Sequence, residues 1–399
     1  MKNLRRRFIR QCALSMLAAT LPPAVRSGSG STRRTAFVGT FTYRPGDRIP
    51  SDFGSHNGAS RGIYTFDFDI DTGRTGPIRL AAETPHPGNL ILHPNGRVLY
   101  ACHGEGTMLE GQSPITAFAI DGPRLRRLNT VPSGGIGATH GVVDQTGRNL
   151  LTTHFVTGNV VCIRVRPDGS LGERTALAGN PASGGLPGSA HRTKPHIVLL
   201  SRTQRYAIVA EIDANRCVVY RFDPDAGTLE PHATASATPG AGPRHLAFHP
   251  NNRFVYSSNE TGSSLTAWHW DEERGELAAL QTLPTVPASA ASASRPGPAH
   301  IAIHPSGRFA YVSNRGYGTL AGFRIDARDG SMSACGETPF DSGSCWCFDI
   351  DPTGAWLFAA IQTGDAVRAF HIDPRTGALA ATHAVLTVVM PTCLRIVGS

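Results

Sequence analysis

Residues that can transfer protons or hold an anion recur along this chain at a regular spacing. His196 precedes Glu211 by fifteen residues, and His245 precedes Glu260 by the same interval. A carboxylate or an imidazole can activate water as a general base, and guanidinium groups can stabilise an oxyanion. These residue types predict a hydrolytic or proton-transfer site. The recurring residues are His140, His154, His196, Glu211, Arg244, His245, Glu260, His300, Arg315 and Gln362.

Repeated strand pairs must position these residues. Residues 243–260 and 298–315 each contain a short alternating strand, a turn typical of hairpins and a second short strand. Four further copies of the pattern occur along the chain. A constant period in this range, with strands throughout, predicts a β-propeller. Successive turns lie 47 to 57 residues apart, at positions 96, 147, 204, 252, 307 and 354.

The two chain ends complete one another. Residues 36–42 and 62–68 look like a second and a third strand without a first, whereas residues 391–397 look like a first strand without successors. A blade built from both ends closes the ring and removes two open sheet edges. The sequence therefore predicts an all-β fold, a seven-bladed β-propeller whose ring is closed by a blade shared between N- and C-terminal strands.

Propeller geometry predicts where the recurring residues meet. The first two strands of a blade are antiparallel, so the start of the first and the end of the second lie at the same face. The residues should therefore gather at one mouth of the central channel, exposed to water, as a candidate site. His93, His249 and His304 precede proline at the opposite turns, and we predict a structural role for them.

The N-terminus has the pattern of a targeting segment. Arg5-Arg6-Arg7-Phe8-Ile9-Arg10 matches a twin-arginine signal, and the apolar run that follows is too short and too interrupted by proline to span a membrane. We expect residues 1–34 to be a signal segment and linker and residues 35–399 to be the propeller. The predicted location is periplasmic or secreted, without stable membrane insertion. An ordinary basic tail is the alternative.

Charge and cysteine content exclude several classes of function. Residues 1–34 carry eight basic residues and no acidic one, and the rest of the chain has 30 of each sign. A neutral body argues against binding to nucleic acid. Seven cysteines follow Cys12, so at least one is free or bridges to another molecule. Cys345-Trp346-Cys347 lacks a second ligand pair at zinc spacing, and we expect neither a metal nor a cofactor.

Several motifs resemble the lactonase family of seven-bladed propellers, which includes bacterial 6-phosphogluconolactonases and fungal carboxy-muconate lactonising enzymes. They are the segments 242–245, 259–260, 311–316 and 349–354, and the resemblance spans residues 35–397. It implies metal-independent action on a small-molecule lactone or carboxylated sugar. The catalytic residues that it implies are His196, Arg244, Glu260 and Arg315. Candidates for substrate binding at the same mouth are His140, Glu211, His245, His300 and Gln362.

Two segments depart from the family pattern. Cys345-Trp346-Cys347 replaces a segment that usually contains arginine, and His300-Ile301-Ala302 replaces Glu-Ile-His. Both changes remove groups that could hold an anion, which counts against a phosphosugar. The leading hypothesis is an exported, monomeric lactonase that hydrolyses a sugar or organic-acid lactone with water activated by a general base. The alternatives are an isomerase of the muconate type and a non-catalytic periplasmic ligand-binding propeller.

Overall fold

The computed structural model of the chain describes residues 32–43, 59–104, 107–179, 193–291, 297–340 and 343–398. The twin-arginine motif lies outside these residues. Strand β1 (Arg33–Thr40) begins two residues before the predicted start of the propeller, so Arg33 and Arg34 belong to the sheet rather than to a linker. Within the described ranges, no helix has the length and apolar character needed to cross a membrane.

The strands form seven antiparallel sheets of four strands each, as the repeats predict. Six blades come from continuous segments. Their strands are β4 (Pro87–Leu92), β5 (Val98–His103), β6 (Pro114–Asp121), β7 (Arg124–Pro132); β8 (Ala138–Val143), β9 (Asn149–His154), β10 (Asn159–Val165), β11 (Leu171–Gly179); β12 (Pro195–Leu200), β13 (Tyr206–Glu211), β14 (Arg216–Asp223), β15 (Thr228–Ser236); β16 (Pro243–Phe248), β17 (Phe254–Asn259), β18 (Ser264–Asp271), β19 (Glu276–Pro284); β20 (Pro298–Ile303), β21 (Phe309–Asn314), β22 (Thr319–Ile325), β23 (Met332–Pro339); and β24 (Cys345–Ile350), β25 (Trp356–Ile361), β26 (Ala366–Ile372), β27 (Leu379–Thr387). The helical elements within the described ranges are α1 (Ala288–Ala291) and a 3₁₀ turn (Gln362–Gly364).

The seventh blade joins the two ends of the chain. Its strand order is β28 (Pro391–Ile396), β1, β2 (Gly62–Asp69) and β3 (Arg79–Glu83). Val38 of β1 pairs with Leu394 of β28, and β28 contacts the inner strands β4 and β24 on its two sides. The predicted closure of the ring by both chain ends is confirmed.

The hydrophobic core lies between neighbouring blades rather than within one of them. One cluster joins Ile208 of the blade β12–β15 to Val255 and Trp268 of the next blade. The second strand of each continuous blade is buried along its whole length, because its two faces pack against the blades on either side. This packing gives the channel a rigid frame.

Histidines at the turns between inner strands hold adjacent blades together. The Nε2 atom of His249 hydrogen-bonds with the Gly307 carbonyl at 2.8 Å, and His304 makes the same contact with Gly354 at 2.9 Å. Gly307 has φ +72°, and a Cβ there would lie 2.7 Å from the His249 ring, so both backbone and space require glycine. His93 repeats the contact with its neighbouring blade. These contacts agree with the structural role predicted for the three histidines.

Candidate active site

Each of the seven inner strands carries an irregularity in its pairing close to its start. Pro243 pairs with Asn259 and His245 pairs with Ser258, which leaves Arg244 as an extra residue. Such a β-bulge turns one side chain out of the regular alternation, and bulges are common beside active sites. The residues in the irregular positions are Gly88, Thr139, His196, Arg244, Ala299 with His300, Trp346 and Thr392.

The bulged residues surround a cavity of about 980 Å³, counting its solvent-open mouth. A second row of residues completes the wall, and each of its members directly follows the second strand of a blade. The bulged residues in the wall are Gly88, Thr139, His196, Arg244, Trp346 and Thr392, and those of the second row are Phe41, Gly104, Phe155, Glu260 and Arg315. The four residues predicted to be catalytic therefore lie in one cavity.

A carboxylate held by two guanidinium groups lies in this wall. Glu260 Oε2 is 2.6 Å from Arg244 Nε and 2.8 Å from Arg315 Nη2. Arg315 also donates from Nε to the Gly297 carbonyl at 3.0 Å. The Arg244 side chain is only 3% exposed, whereas that of Glu260 is 32% exposed. The expectation that Arg244 stands in open water is therefore wrong, because the ion pair and the aromatic wall cover it.

The electrostatics fix the charge states of this group. Burial alone would raise the pKa of Glu260, but the adjacent Arg244 and Arg315 outweigh burial and lower it, so the carboxylate is ionised at neutral pH. Burial, and then repulsion from Arg315, lower the pKa of Arg244 to about 9, which still leaves it charged. Among the described residues, Arg244 Nη1 has no hydrogen-bond partner. The same nitrogen is buried, with almost no exposure to solvent.

An aromatic wall adjoins the charged group. The Trp346 ring lies against Arg315, whose guanidinium carbon is 4.9 Å from the ring centroid, and against Arg244 at 5.8 Å. Phe41 packs edge-on against Trp346 at 6.1 Å. Neither aromatic residue is among the predicted site residues, which all have titratable or polar side chains. The sequence signal for Trp346 is its position as the second residue of an inner strand, which is the position that Arg244 has in its own blade.

Four histidines form a cluster at the floor of the cavity. The His245 ring lies 5.0 Å from His196 and 5.7 Å from His140, and its Nδ1 is 3.0 Å from His300 Nδ1. Burial is the largest effect on all four; it lowers the pKa of His140 to about 3 and those of the others well below the usual value. The imidazoles are therefore neutral at pH 7. His196 and His245 reach the cavity, whereas His140 and His300 pack behind them.

Besides His140 and His300, two further predicted residues do not reach the cavity. Glu211 is the last residue of β13 and binds Arg216 of its own blade at 2.7 Å, whereas Glu260 and Arg315 are the first residues after their strands. A shift of one residue along a strand sends the side chain to the other face. Gln362 occupies the equivalent of the second row, but it begins the 3₁₀ turn and is fully buried outside the cavity wall.

No group of three or more histidine, cysteine, aspartate or glutamate side chains is arranged to hold a metal ion within the described part of the chain. The histidine cluster has its rings packed against one another rather than converging on a common point, since His245 makes edge contacts with two of its neighbours. The groups that the cavity offers for chemistry thus include a carboxylate, two guanidinium groups, neutral imidazoles and the Cys347 thiol.

Comparisons with known proteins agree with the architecture. A family model described as lactonase, 7-bladed beta-propeller, matches residues 35–396. The 6-phosphogluconolactonase of Bacillus subtilis is 26% identical over 366 residues, which is 91% of this chain and 98% of the relative. That of Pectobacterium carotovorum is 30% identical and covers 77% of this chain and 88% of its own. The structure of the periplasmic gluconolactonase of Pseudomonas aeruginosa superposes with a TM-score of 0.80 at 26% identity, over 92% of this chain and 99% of that one.

Proposed function

The chain belongs to the lactonase family of seven-bladed β-propellers, and from that membership we propose that it is a carboxylic ester hydrolase that opens a sugar or organic-acid lactone. One observation carries the proposal. The Glu260 carboxylate is fixed by Arg244 and Arg315 in a solvent-open cavity that also has an aromatic wall. The relatives named as lactonases support the same reaction class.

Water attack on the lactone carbonyl requires a base and a site for the oxyanion. Glu260 suits the first role, because its side chain is ionised and one-third exposed. His196 is the other candidate, because its imidazole is neutral and lines the cavity. As the carbonyl oxygen gains charge, the guanidinium groups of Arg244 and Arg315 in the cavity wall stabilise it. The ring C–O bond then breaks, and the leaving oxygen takes a proton to become a hydroxyl group.

The charge of the cavity favours a substrate without a phosphate group. Two guanidinium groups face one carboxylate, and the imidazoles are neutral, so the wall carries about one net positive charge. The nearby Lys194 is paired with Asp213 at 2.9 Å. Trp346 and Phe41 add an apolar surface suited to the C–H face of a sugar ring. We propose an unphosphorylated sugar lactone as the preferred substrate.

A panel of lactones tests the reaction and the substrate class together. Glucono-lactone, its 6-phosphate and an unsaturated diacid lactone are each assayed with the purified protein against the spontaneous rate of opening. We expect the highest kcat/KM for the unphosphorylated sugar lactone. Saturable binding without turnover would identify a ligand-binding propeller instead. Reversible interconversion of the diacid and its lactone, without action on the sugar lactones, would identify an isomerase.

We propose export by the twin-arginine route from the motif in the N-terminal segment. The relative from Pseudomonas aeruginosa is named as periplasmic, which supports the location and not the route. We expect the double change Arg5→Lys and Arg6→Lys to abolish delivery to the periplasm, measured by fractionation and immunoblotting of the expressing cells. Arg26→Lys, in the same segment but outside the motif, is the matched control and should be delivered normally. Equal delivery of the double variant and the control would disprove this route.

A further inference from the structure

Two cysteines meet on neighbouring inner strands beside the cavity. Cys347 lies in β24, directly after the bulged Trp346, and Cys393 lies in β28, directly after the bulged Thr392. Their side chains belong to the same buried cluster on two strands that contact each other, and each thiol shifts the pKa of the other. Cys347 also lines the cavity wall. The pair therefore sits where the last continuous blade meets the blade closed by the C-terminus.

The surroundings of the pair stabilise a shared negative charge. Arg395 Nη1 lies 3.5 Å from Cys347 Sγ, and the Leu90 backbone N–H donates to Cys393 Sγ at 3.3 Å. Burial raises the pKa of the Cys393 thiol, but the hydrogen bond from Cys347 and the charge of Arg395 outweigh burial and lower it to about 7. The pKa of Cys347 is raised, because its proton is held between the two sulfurs. A thiolate is the reactive form of cysteine.

Other buried cysteines lack these features. Burial raises the pKa of Cys102 to about 12 and that of Cys162 to about 11. Cys345 is near Cys347 in sequence, but its thiol donates to the Cys347 carbonyl at 3.4 Å, and burial raises its pKa well above the usual value. These thiols are ordinary buried side chains. The pair at Cys347 and Cys393 is thus chemically distinct.

We propose that Cys347 and Cys393 form an oxidation site in which a peroxide converts the two thiols to a disulfide that links strands β24 and β28. Of the two thiols, Cys347 lines the cavity through which hydrogen peroxide enters. Cys347 first passes its proton to the Cys393 thiolate, and the Cys347 sulfur then attacks one peroxide oxygen. The S–O bond forms as the O–O bond breaks, and the departing hydroxide takes the proton from Cys393 to become water. Cys393 sulfur then attacks the oxidised Cys347, so that the S–S bond forms and hydroxide leaves. Both sulfurs are oxidised, and both peroxide oxygens are reduced.

The crosslink would stabilise the closure of the ring. It joins β24, the inner strand of the last continuous blade, to the C-terminal strand β28, and it closes a loop of about 46 residues. Closing a loop of this length stabilises a fold by restricting the unfolded chain. We therefore expect the oxidised protein to melt on the order of 5 °C or more above the reduced protein. The inference is independent of which lactone the cavity accepts.

The test is performed on the full propeller with its substrate site intact. The reduced protein is treated with hydrogen peroxide, denatured, alkylated and analysed by mass spectrometry, with digestion to locate any crosslink. We expect two of the seven thiols in residues 35–399 to be lost, a single Cys347–Cys393 crosslink, and a melting temperature that dithiothreitol returns to the reduced value. Cys162→Ser is the matched control and should still form the crosslink.

Single changes at the pair complete the design. Cys347→Ser and Cys393→Ser should lose the crosslink and the dependence of the melting temperature on dithiothreitol. If either variant fails to fold, the mapping of the wild-type protein still decides the outcome. Seven alkylated thiols after peroxide treatment, or a crosslink that joins a different pair, would overturn the proposal. Retained lactone hydrolysis in that case would show that only this inference has failed, and the proposed function has not.

Discussion

Replacing Arg244 with methionine is expected to reduce kcat/KM by about 100-fold or more while changing the melting temperature little. Arg244 supplies a cationic donor to the cavity, and its Nη1 has no hydrogen-bond partner among the described residues. Loss of one donor to an oxyanion costs on the order of 100-fold or more in rate. Steady-state kinetics with the best lactone of the panel measure the first effect, and thermal denaturation measures the second.

The small effect on stability follows from the electrostatics of the site. The pKa of Arg244 is lower in the folded protein than in the unfolded chain, so folding disfavours its charge. Methionine removes that cost and keeps a long apolar side chain against Trp346. Glu260 retains Arg315 as its partner at 2.8 Å, so no buried charge is left alone. We expect the melting temperature to remain within about 4 °C of the wild-type value.

His249→Ala provides the opposite pattern as a control. His249 is buried at the far end of the channel and hydrogen-bonds with the Gly307 carbonyl of the next blade. Its removal should keep the catalytic rate and destabilise the fold by about 1–3 kcal/mol, since a buried carbonyl loses its partner. If the two variants lose activity equally, or if Arg244→Met retains full activity, the catalytic face lies at the other end of the channel.

Glu260→Gln is expected to lower kcat/KM by roughly 100- to 10,000-fold, the range that a general base contributes. Glutamine keeps the size of the side chain and can still accept a hydrogen bond from the two arginines, so substrate binding should suffer less than turnover. The measurement is kcat and KM across the pH range, and the expected change falls mainly on kcat. Unchanged melting would show that the loss is not a loss of fold.

The pH dependence identifies the base. The pKa of Glu260 lies below its usual value, so the wild-type rate should hold through mildly acidic pH and fall only as the carboxylate protonates. The same sign applies to stability, because a depressed carboxyl pKa stabilises the fold above the unfolded pKa and that contribution is lost in acid. His196→Asn is the companion variant. A larger loss in His196→Asn, with Glu260→Gln near the wild-type rate, would assign the base to His196.

The regular repeat allowed the ring, its closure and the face at which the candidate catalytic residues meet to be predicted from sequence. Hairpin turns fix where each blade begins, and antiparallel strands fix which ends share a face. His196, Arg244, Glu260 and Arg315 were therefore placed correctly at one mouth. Their predicted catalytic roles remain to be tested by the variants described above.

Which side chains reach the cavity, and how deep they lie in the channel, could not be predicted in the same way. Side-chain direction depends on a bulge of one residue, which alternation alone does not show. Glu211 lies one position before the second row, and its side chain binds Arg216 of its own blade. Its spacing from His196 nevertheless equals that between His245 and Glu260. Trp346 could not be predicted as a site residue, because its role depends on contacts with two arginines that are distant in sequence and come together only in the fold.

The shared blade also determines when the cavity can first exist during synthesis. Its wall draws on Phe41 near the start of the propeller and on Thr392 near its end. The inner strand β28 leaves the ribosome after the other strands of the described ring, and until it pairs with β1 the ring has a gap beside the site. Contacts so distant in sequence form late in folding. A chain that has not yet been translated through β28 therefore lacks the complete cavity.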